Sequence, residues 1–370
     1  MSGKGPILVA AGGTGGHLFP AEALSNVLAK RGLAVELVTD ERAAKYGGVF
    51  PARAIHQIAA ATPSGGSIVK RGMAVLTLLR GTWAARRLIK RIRPSVVVGF
   101  GGYPTVPPIL AASQLHVPAI LHEANAVMGR ANRFLAARVD AIAKGFEALG
   151  GIDAKIKAKA HVTGNPVRPA VLEAARVDFP GIEDGRLRLL VTGGSQGARV
   201  MSDIVPAAIA LLPEEERKKL IIVQQARGED EARVNEVYRN LGLDAEVKPF
   251  FSDLPMRIAQ AHLVIGRGGA STVSELAVIG RPAILVPLPH ALDQDQAANA
   301  NELAATGGAI VVAQRDFTPQ WLAERLREAQ SDLIGLKRRA EAAKSVGMAD
   351  AAERLADLVL SFVADQETKS

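Results

Sequence analysis

Two doubly wound α/β domains follow from three features of the 370-residue chain. Short, almost wholly apolar runs alternate with longer helical stretches, as parallel strands buried on both faces require. That alternation runs through twice, with a Gly/Pro-rich connection starting at Gly164, Asn165 and Pro166 between the two rounds. Each round also opens alike: ILVAAGGTGG at 7–16 and LLVTGGSQG at 189–197 are both a strand running into a glycine-rich turn. The length accommodates two domains of ordinary size. Two similar halves imply a cleft between them, and such clefts hold ligands.

In the first round, residues 7–11, 34–39, 53–58, 96–99, 119–122 and 141–143 read as strands. In the second, 187–192, 220–225, 245–249, 263–265, 283–286 and 309–312 do so. The stretch 94–121 carries no charged residue and is long enough to suggest a membrane span. Pro104, Pro107, Pro108 and Pro118, with Gly99, Gly101 and Gly102, divide it instead into strand, loop, helix and strand. The apolar run 7–11 is too short for a signal core. The expected domains are 1–165, associated with an acceptor and a membrane, and 166–345, which binds a donor. An amphipathic C-terminal helix at 346–366 is expected to join the first.

Lys and Arg total 45 and Asp and Glu 37, a net charge of +8 that favours an anionic partner. At 4% aromatic residues, base-stacking nucleic-acid modules are disfavoured. The absence of cysteine excludes disulfides, thiolate metal sites and a Cys nucleophile, and fits a cytoplasmic protein. The excess charge has one address. Lys70, Arg71, Arg80, Arg86, Arg87, Lys90, Arg91 and Arg93 lie in a stretch without acids, so the remaining 37 basic residues balance 37 acidic ones. Leu76, Leu79 and Trp83 are interleaved with them at helical spacing. This reads either as a helix on an anionic membrane surface or as an ordinary helix with a basic solvent face. The membrane reading replaces nucleic acid as the account of the charge.

Three glycine-rich segments carry the chemistry. In GGTGGH at 12–17 a strand feeds a helix start, where free N–H groups and the helix dipole suit an anion; the alternative is a tight packing turn. It is not the dinucleotide fingerprint, because Leu18 stands at the third glycine position, and the chain has no P-loop. His17, at the helix start, is either a neutral base or a structural histidine. Gly193, Ser195 and Gly197 match G-x-S-x-G, with Asp253 and His290 downstream in the order of a hydrolase triad. A pair of phosphate loops explains both halves, whereas a nucleophile elbow explains one. In the third segment, 266–275, Glu275 lies about one turn into a helix, placed to hold ribose hydroxyls or merely to complement the dipole. Asp293, Gln294, Asp295 and Gln296 suit sugar hydroxyls, or else Asp293 is an N-cap. His122 and Glu123 do not form HExxH, so no zinc site is supported.

Together the segments 12–17, 101–104, 122–125, 164–168, 193–198, 270–275 and 293–300 closely resemble, in order and over nearly the whole chain, the MurG family of peptidoglycan N-acetylglucosaminyltransferases. The resemblance implies a GT-B fold of two Rossmann-like domains facing a central cleft. It also implies inverting transfer of GlcNAc from UDP-GlcNAc to the C4 hydroxyl of MurNAc in undecaprenyl-pyrophosphoryl-MurNAc-pentapeptide (lipid I), giving lipid II. No metal and no cofactor are implied. Family donor positions fall on Thr14, Gly15, Gly16, Asn125, Arg168, Ser195, Phe251, Ala270, Ser271, Thr272, Val273, Ser274, Glu275 and Gln296. Of these, Glu275 would hold the ribose, Ser195 and the 270–272 amides the diphosphate, Gln296 the sugar, and Phe251 would frame the uracil. His17, facing the acceptor, is the candidate base. Asp295 stands where many members carry His. Further implications are a peripheral place on the cytoplasmic face of the inner membrane, a role in cell shape and division, and partners among cell-wall synthesis or division proteins.

Overall fold

The computed structural model describes residues 5–12, 15–41, 50–61, 68–181, 183–194, 197–289 and 295–367. The chain divides into two compact units, Met1–Arg168 with Ala349–Ser370, and Pro169–Met348. The first unit holds β1 (Ile7–Ala10), β2 (Val35–Thr39), β3 (Ala54–Gln57), β4 (Val96–Gly99), β5 (Ala119–Glu123), β6 (Ala141–Lys144) and β7 (Ala160–Val162), in the sheet order β3-β2-β1-β4-β5-β6-β7. The second holds β8 (Leu187–Val191), β9 (Leu220–Gln225), β10 (Ala245–Lys248), β11 (Leu263–Gly266), β12 (Ala283–Leu285) and β13 (Ala309–Val311), in the order β10-β9-β8-β11-β12-β13. Every strand pairing in both sheets is parallel. The doubly wound architecture is the one anticipated. Only β7 goes beyond it: its three residues sit at the sheet edge and are at most half-buried, so they form no apolar run to read.

The central strands explain the rest. All four residues of β1 and of β4 are buried, which demands helices on both faces. On one face, Leu18, Ala21, Leu24 and Leu28 of helix α1 (Gly15–Lys30) share a core with Leu355, Ala356, Val359 and Val363 of the helix Ala351–Glu367. Each large aliphatic side chain so buried contributes roughly 1.5–3 kcal/mol, which fixes the C-terminal helix in the first unit. The uncharged stretch 94–121 resolves into β4, a short 3-10 turn, helix α3 (Val106–Gln114) and β5. No described helix is long and apolar enough to cross a membrane.

The basic stretch forms helix α2 (Ile68–Ile92). Its C-terminal half buries Ala85, Leu88 and Ile89. Residues further towards its N-terminus, Val69, Met73, Val75, Leu76, Leu79 and Trp83, are between 47% and 70% exposed. An ordinary amphipathic helix would bury such residues. The guanidinium of Arg87 lies 3.5 Å over the Trp83 ring, so charge and apolar surface are interleaved in space as well as in sequence.

Both sheets reverse their strand order beside the first strand, between β1 and β4 in one and between β8 and β11 in the other. Ligands of open α/β sheets bind at the carboxyl ends of the strands flanking such a reversal. The described connecting residues there are 11–12 and 100–102 in the first unit, and 192–194, 197–198 and 267–269 in the second. Strand order therefore delivers the glycine-rich segments to two crossover points.

Candidate functional site

At the first crossover, Gly15 and Gly16 begin α1, and His17 lies in its first turn. Thr14 lies outside the described residues. Gly12 is closely surrounded: a Cβ there would stand 2.9 Å from the Asp40 carboxylate, which would have to shift. The His17 ring packs against Gly101 and Gly102, both in the left-handed region (φ +86° and +70°), and a Cβ on either would meet it at 3.3 Å. Burial lowers the His17 pKa, against a ring hydrogen bond to the Phe100 backbone. The cause is desolvation rather than the helix start invoked from sequence. Nδ1 of His17 is buried without a partner among the described residues. The lowered pKa favours the uncharged imidazole.

Behind it sits a polar cluster whose hydrogen-bond network, with Asn132 in it, was not anticipated from the sequence. His122, 1% exposed, stacks on Phe100 at 5.2 Å, and its Nε2 lies 3.3 Å from the Gly164 carbonyl. Burial pulls its pKa down to about 4, and the neighbouring His17 pushes the same way. Glu123, 2% exposed, accepts from the Asn125 backbone N–H at 3.0 Å, Asn125 Nδ2 at 3.2 Å, the Gly129 N–H at 3.0 Å and Asn132 Nδ2 at 2.8 Å. Burial raises its pKa, and these four donors oppose the rise. The carboxylate therefore fixes the loop that carries Asn125. Asn132 also donates to the His122 carbonyl at 3.1 Å, which ties loop and histidine together. Arg168 belongs to this unit, with its guanidinium 4.6 Å over Phe19 and its charge beside Glu22.

At the second crossover the working groups are backbone. Gly193 and Gly194 follow β8; Gly194 has φ +80°, and a Cβ on Gly193 would stand 2.1 Å from the Ala198 nitrogen. Ser195, Gln196 and His290 lie outside the described residues. Asp253, the middle member of the apparent triad, is exposed and paired to Arg257 at 2.8 Å. Gln225, another residue without a sequence signal, braces the loop. Its Oε1 accepts from Thr192 Oγ1 and the Gly193 N–H, both at 3.0 Å, and its Nε2 donates to the Gly194 and Pro249 carbonyls, both at 3.1 Å.

Across the crossover, Ala270, Ser271, Thr272, Val273, Ser274 and Glu275 begin the helix Ala270–Ile279. Its N-cap is Gly269, and no described side chain caps it, so the positive end of the dipole faces outward through free amides. Glu275 is 8% exposed. Gln296, in the first turn of the helix Asp295–Ala304, accepts from the Leu288 N–H at 3.0 Å. Asn299 donates to the Gly268 carbonyl at 3.2 Å, and Gly268 itself leaves no room for a Cβ, which would lie 2.3 Å from the Gln296 carbonyl. Phe251, 6% exposed, carries the Arg257 guanidinium 4.4 Å over its ring. Two cavities of this unit, of about 340 and 660 Å³, are lined by none of Gly193, Gly194, Phe251, Glu275 and Gln296.

Two Rossmann-like units, each with glycine loops at its crossover, constitute the GT-B class of fold. The glycosyltransferase family 28 N-terminal domain matches residues 7–144, and the family 28 C-terminal domain matches residues 188–355. The chain belongs to glycosyltransferase family 28 and, within it, to the MurG family. It is 55% identical over 364 residues to the UDP-N-acetylglucosamine–N-acetylmuramyl-(pentapeptide) pyrophosphoryl-undecaprenol N-acetylglucosamine transferase of Brucella suis biovar 1, covering 98% of this chain and 96% of that protein. The transferase of the same name from Methylobacterium radiotolerans is 56% identical over 360 residues, covering 97% and 98%. Among solved structures, Acinetobacter baumannii MurG superposes with a TM-score of 0.78 at 28% identity, covering 96% of this chain and 99% of that one.

Proposed function

We propose that this chain transfers GlcNAc from UDP-GlcNAc to the C4 hydroxyl of MurNAc in undecaprenyl-pyrophosphoryl-MurNAc-pentapeptide, with inversion, forming lipid II. The observation that carries the proposal is end-to-end identity of 55–56% with transferases named for these substrates. The uncapped helix start at Ala270, with Glu275 one turn in, supports the donor half. In that half the 270–272 amides and Ser195 receive the diphosphate, Glu275 the ribose, Phe251 the uracil and Gln296 the sugar. Thr14, Gly15, Gly16, Asn125 and Arg168 complete the substrate contacts from the first unit.

The reaction is one in-line displacement at the anomeric carbon. The acceptor oxygen forms its bond as the bond to the diphosphate breaks, and the electron pair leaves on UDP. His17 takes the hydroxyl proton, a role its depressed pKa suits. Preorganised N–H donors stabilise the departing charge without reorganisation. Incubation with UDP-GlcNAc and a lipid I analogue tests the reading: UDP release with disaccharide formation supports it. Formation of UDP-ManNAc without acceptor would instead assign a GT-B UDP-GlcNAc epimerase.

The exposed apolar and basic surface of α2 supports peripheral binding to the anionic cytoplasmic face of the membrane, through Lys70, Arg71, Leu76, Leu79, Arg80, Trp83, Arg86, Arg87, Lys90 and Arg91. Each basic residue near an anionic surface adds about 1 kcal/mol. Replacing Arg86, Arg87, Lys90 and Arg91 by Glu should therefore abolish co-sedimentation with phosphatidylglycerol vesicles. Persistent binding would remove α2 as the anchor.

A further inference from the structure

We propose that Arg227 is a cationic contact for the diphosphate of the sugar-nucleotide donor, supplied by the loop after β9 rather than by any glycine-rich segment. The inference rests on the donor reading above. Strands β9, β8 and β11 are neighbours in the sheet, so the loops at their carboxyl ends lie side by side. Arg227 opens the loop after β9 as the N-cap of the helix Gly228–Asn240. Its side chain folds back over the second glycine loop, where Nη2 donates to the Gly197 carbonyl at 3.3 Å. Gly197 has φ +67°, and a Cβ there would stand 2.9 Å from Arg227 Cγ, so the approach depends on glycine.

Among the described residues Arg227 has no close anion. Its Nε is buried without a partner among the described residues. Its contact with Glu229 spans 3.8 Å to a carboxylate that is 72% exposed, a geometry worth little. On the other side of β8, Arg267 is held among the described residues by neutral acceptors: the Val286 and Pro287 carbonyls at 2.9 and 3.3 Å and Gln314 Oε1 at 2.8 Å. Burial and the charge of Arg227 both lower the Arg267 pKa, so each guanidinium lies within the other's field. Two half-buried like charges with no shared carboxylate among the described residues repel each other. A diphosphate entering beside Gly194 and Gly197 converts that repulsion into charge-assisted hydrogen bonds. The leaving group of the proposed reaction has this chemistry.

Calorimetric titration of the full chain with uridine and with UDP tests the inference. Arg227→Ala should weaken UDP about tenfold while leaving uridine within about twofold, and Arg227→Lys should recover part of the loss. The donor KM should rise with the UDP dissociation constant. If UDP binds the Ala variant as tightly as the wild type, the inference fails and the donor reading stands. If uridine and UDP weaken in equal proportion, Arg227 merely shapes the loop, and the inference fails again. If the wild type does not bind UDP, the donor reading falls and takes this inference with it.

Discussion

The two crossover points share a topology and differ in what fills them. In the first unit, the loops after β1 and β4 enclose side chains: two neutral histidines, a buried carboxylate with four donors, and Asn132 joining them. In the second, the loops after β8 and β11 present main chain: glycines in close approach and an uncapped helix start, braced from behind by Gln225. Backbone amides suit a ligand charge that is always present, because they cannot titrate. Buried imidazoles suit a proton that must move. On the proposed reading, proton transfer belongs to the first unit and charge stabilisation to the second.

Removing the imidazole tests this division most severely. His17→Ala should lower kcat by roughly a thousandfold, within the range for a positioned general base, and leave the UDP dissociation constant nearly unchanged. Steady-state kinetics beside UDP titration would read both. A near-normal kcat would exclude His17 as the base and move proton transfer elsewhere. A parallel loss of UDP affinity would break the division between the units.

The same cluster should make the first unit sensitive to acid. His122 is held neutral, with a folded pKa of about 4 against 6.5 unperturbed. The unfolded chain therefore takes up the proton first as pH falls. Stability from this group is fully present above about pH 6.5 and is lost as pH drops towards 4, on the order of 3 kcal/mol in all. Melting temperatures across that range should fall for the wild type and fall less steeply for His122→Gln. Equal slopes would clear His122 of the effect.

The same contrast governs what could be read from sequence. The parallel strands were legible because burial on both faces writes continuous apolar runs, as at Ile7–Ala10 and Leu220–Gln225. The second unit's helix start was legible because backbone sites need glycine and small residues, which stand out in any sequence. Glu123, Asn132 and Gln225 were not. Their roles depend on hydrogen bonds that a polar residue makes only after β5 and β9 are placed beside their neighbours, and no spacing encodes such partners. Arg168 was expected in the donor half because it follows the Gly164–Asn165–Pro166 connection, yet it packs on Phe19 in the first unit. A connection rich in Gly and Pro marks a boundary only to within a few residues.

The smallest of these effects bears most directly on the second unit. Glu275 is nearly buried one turn into a helix whose first amides are free, so its carboxylate and those amides can engage adjacent groups of one ligand. If the amides take phosphate, the carboxylate lies on the ribose side, where it accepts hydroxyl protons and cannot approach an anion. Glu275→Ala then removes hydrogen bonds made equally in the ground and transition states. The KM for UDP-GlcNAc should rise on the order of thirtyfold, about 2 kcal/mol, with kcat little changed. A donor lacking the ribose hydroxyls should show the same loss on the wild type and no further loss on the variant, because the two changes delete one interaction. Additive losses would place the carboxylate away from the ribose. An unchanged KM would leave Glu275 as no more than a partner of the helix dipole, and the ribose would have to be held by other groups.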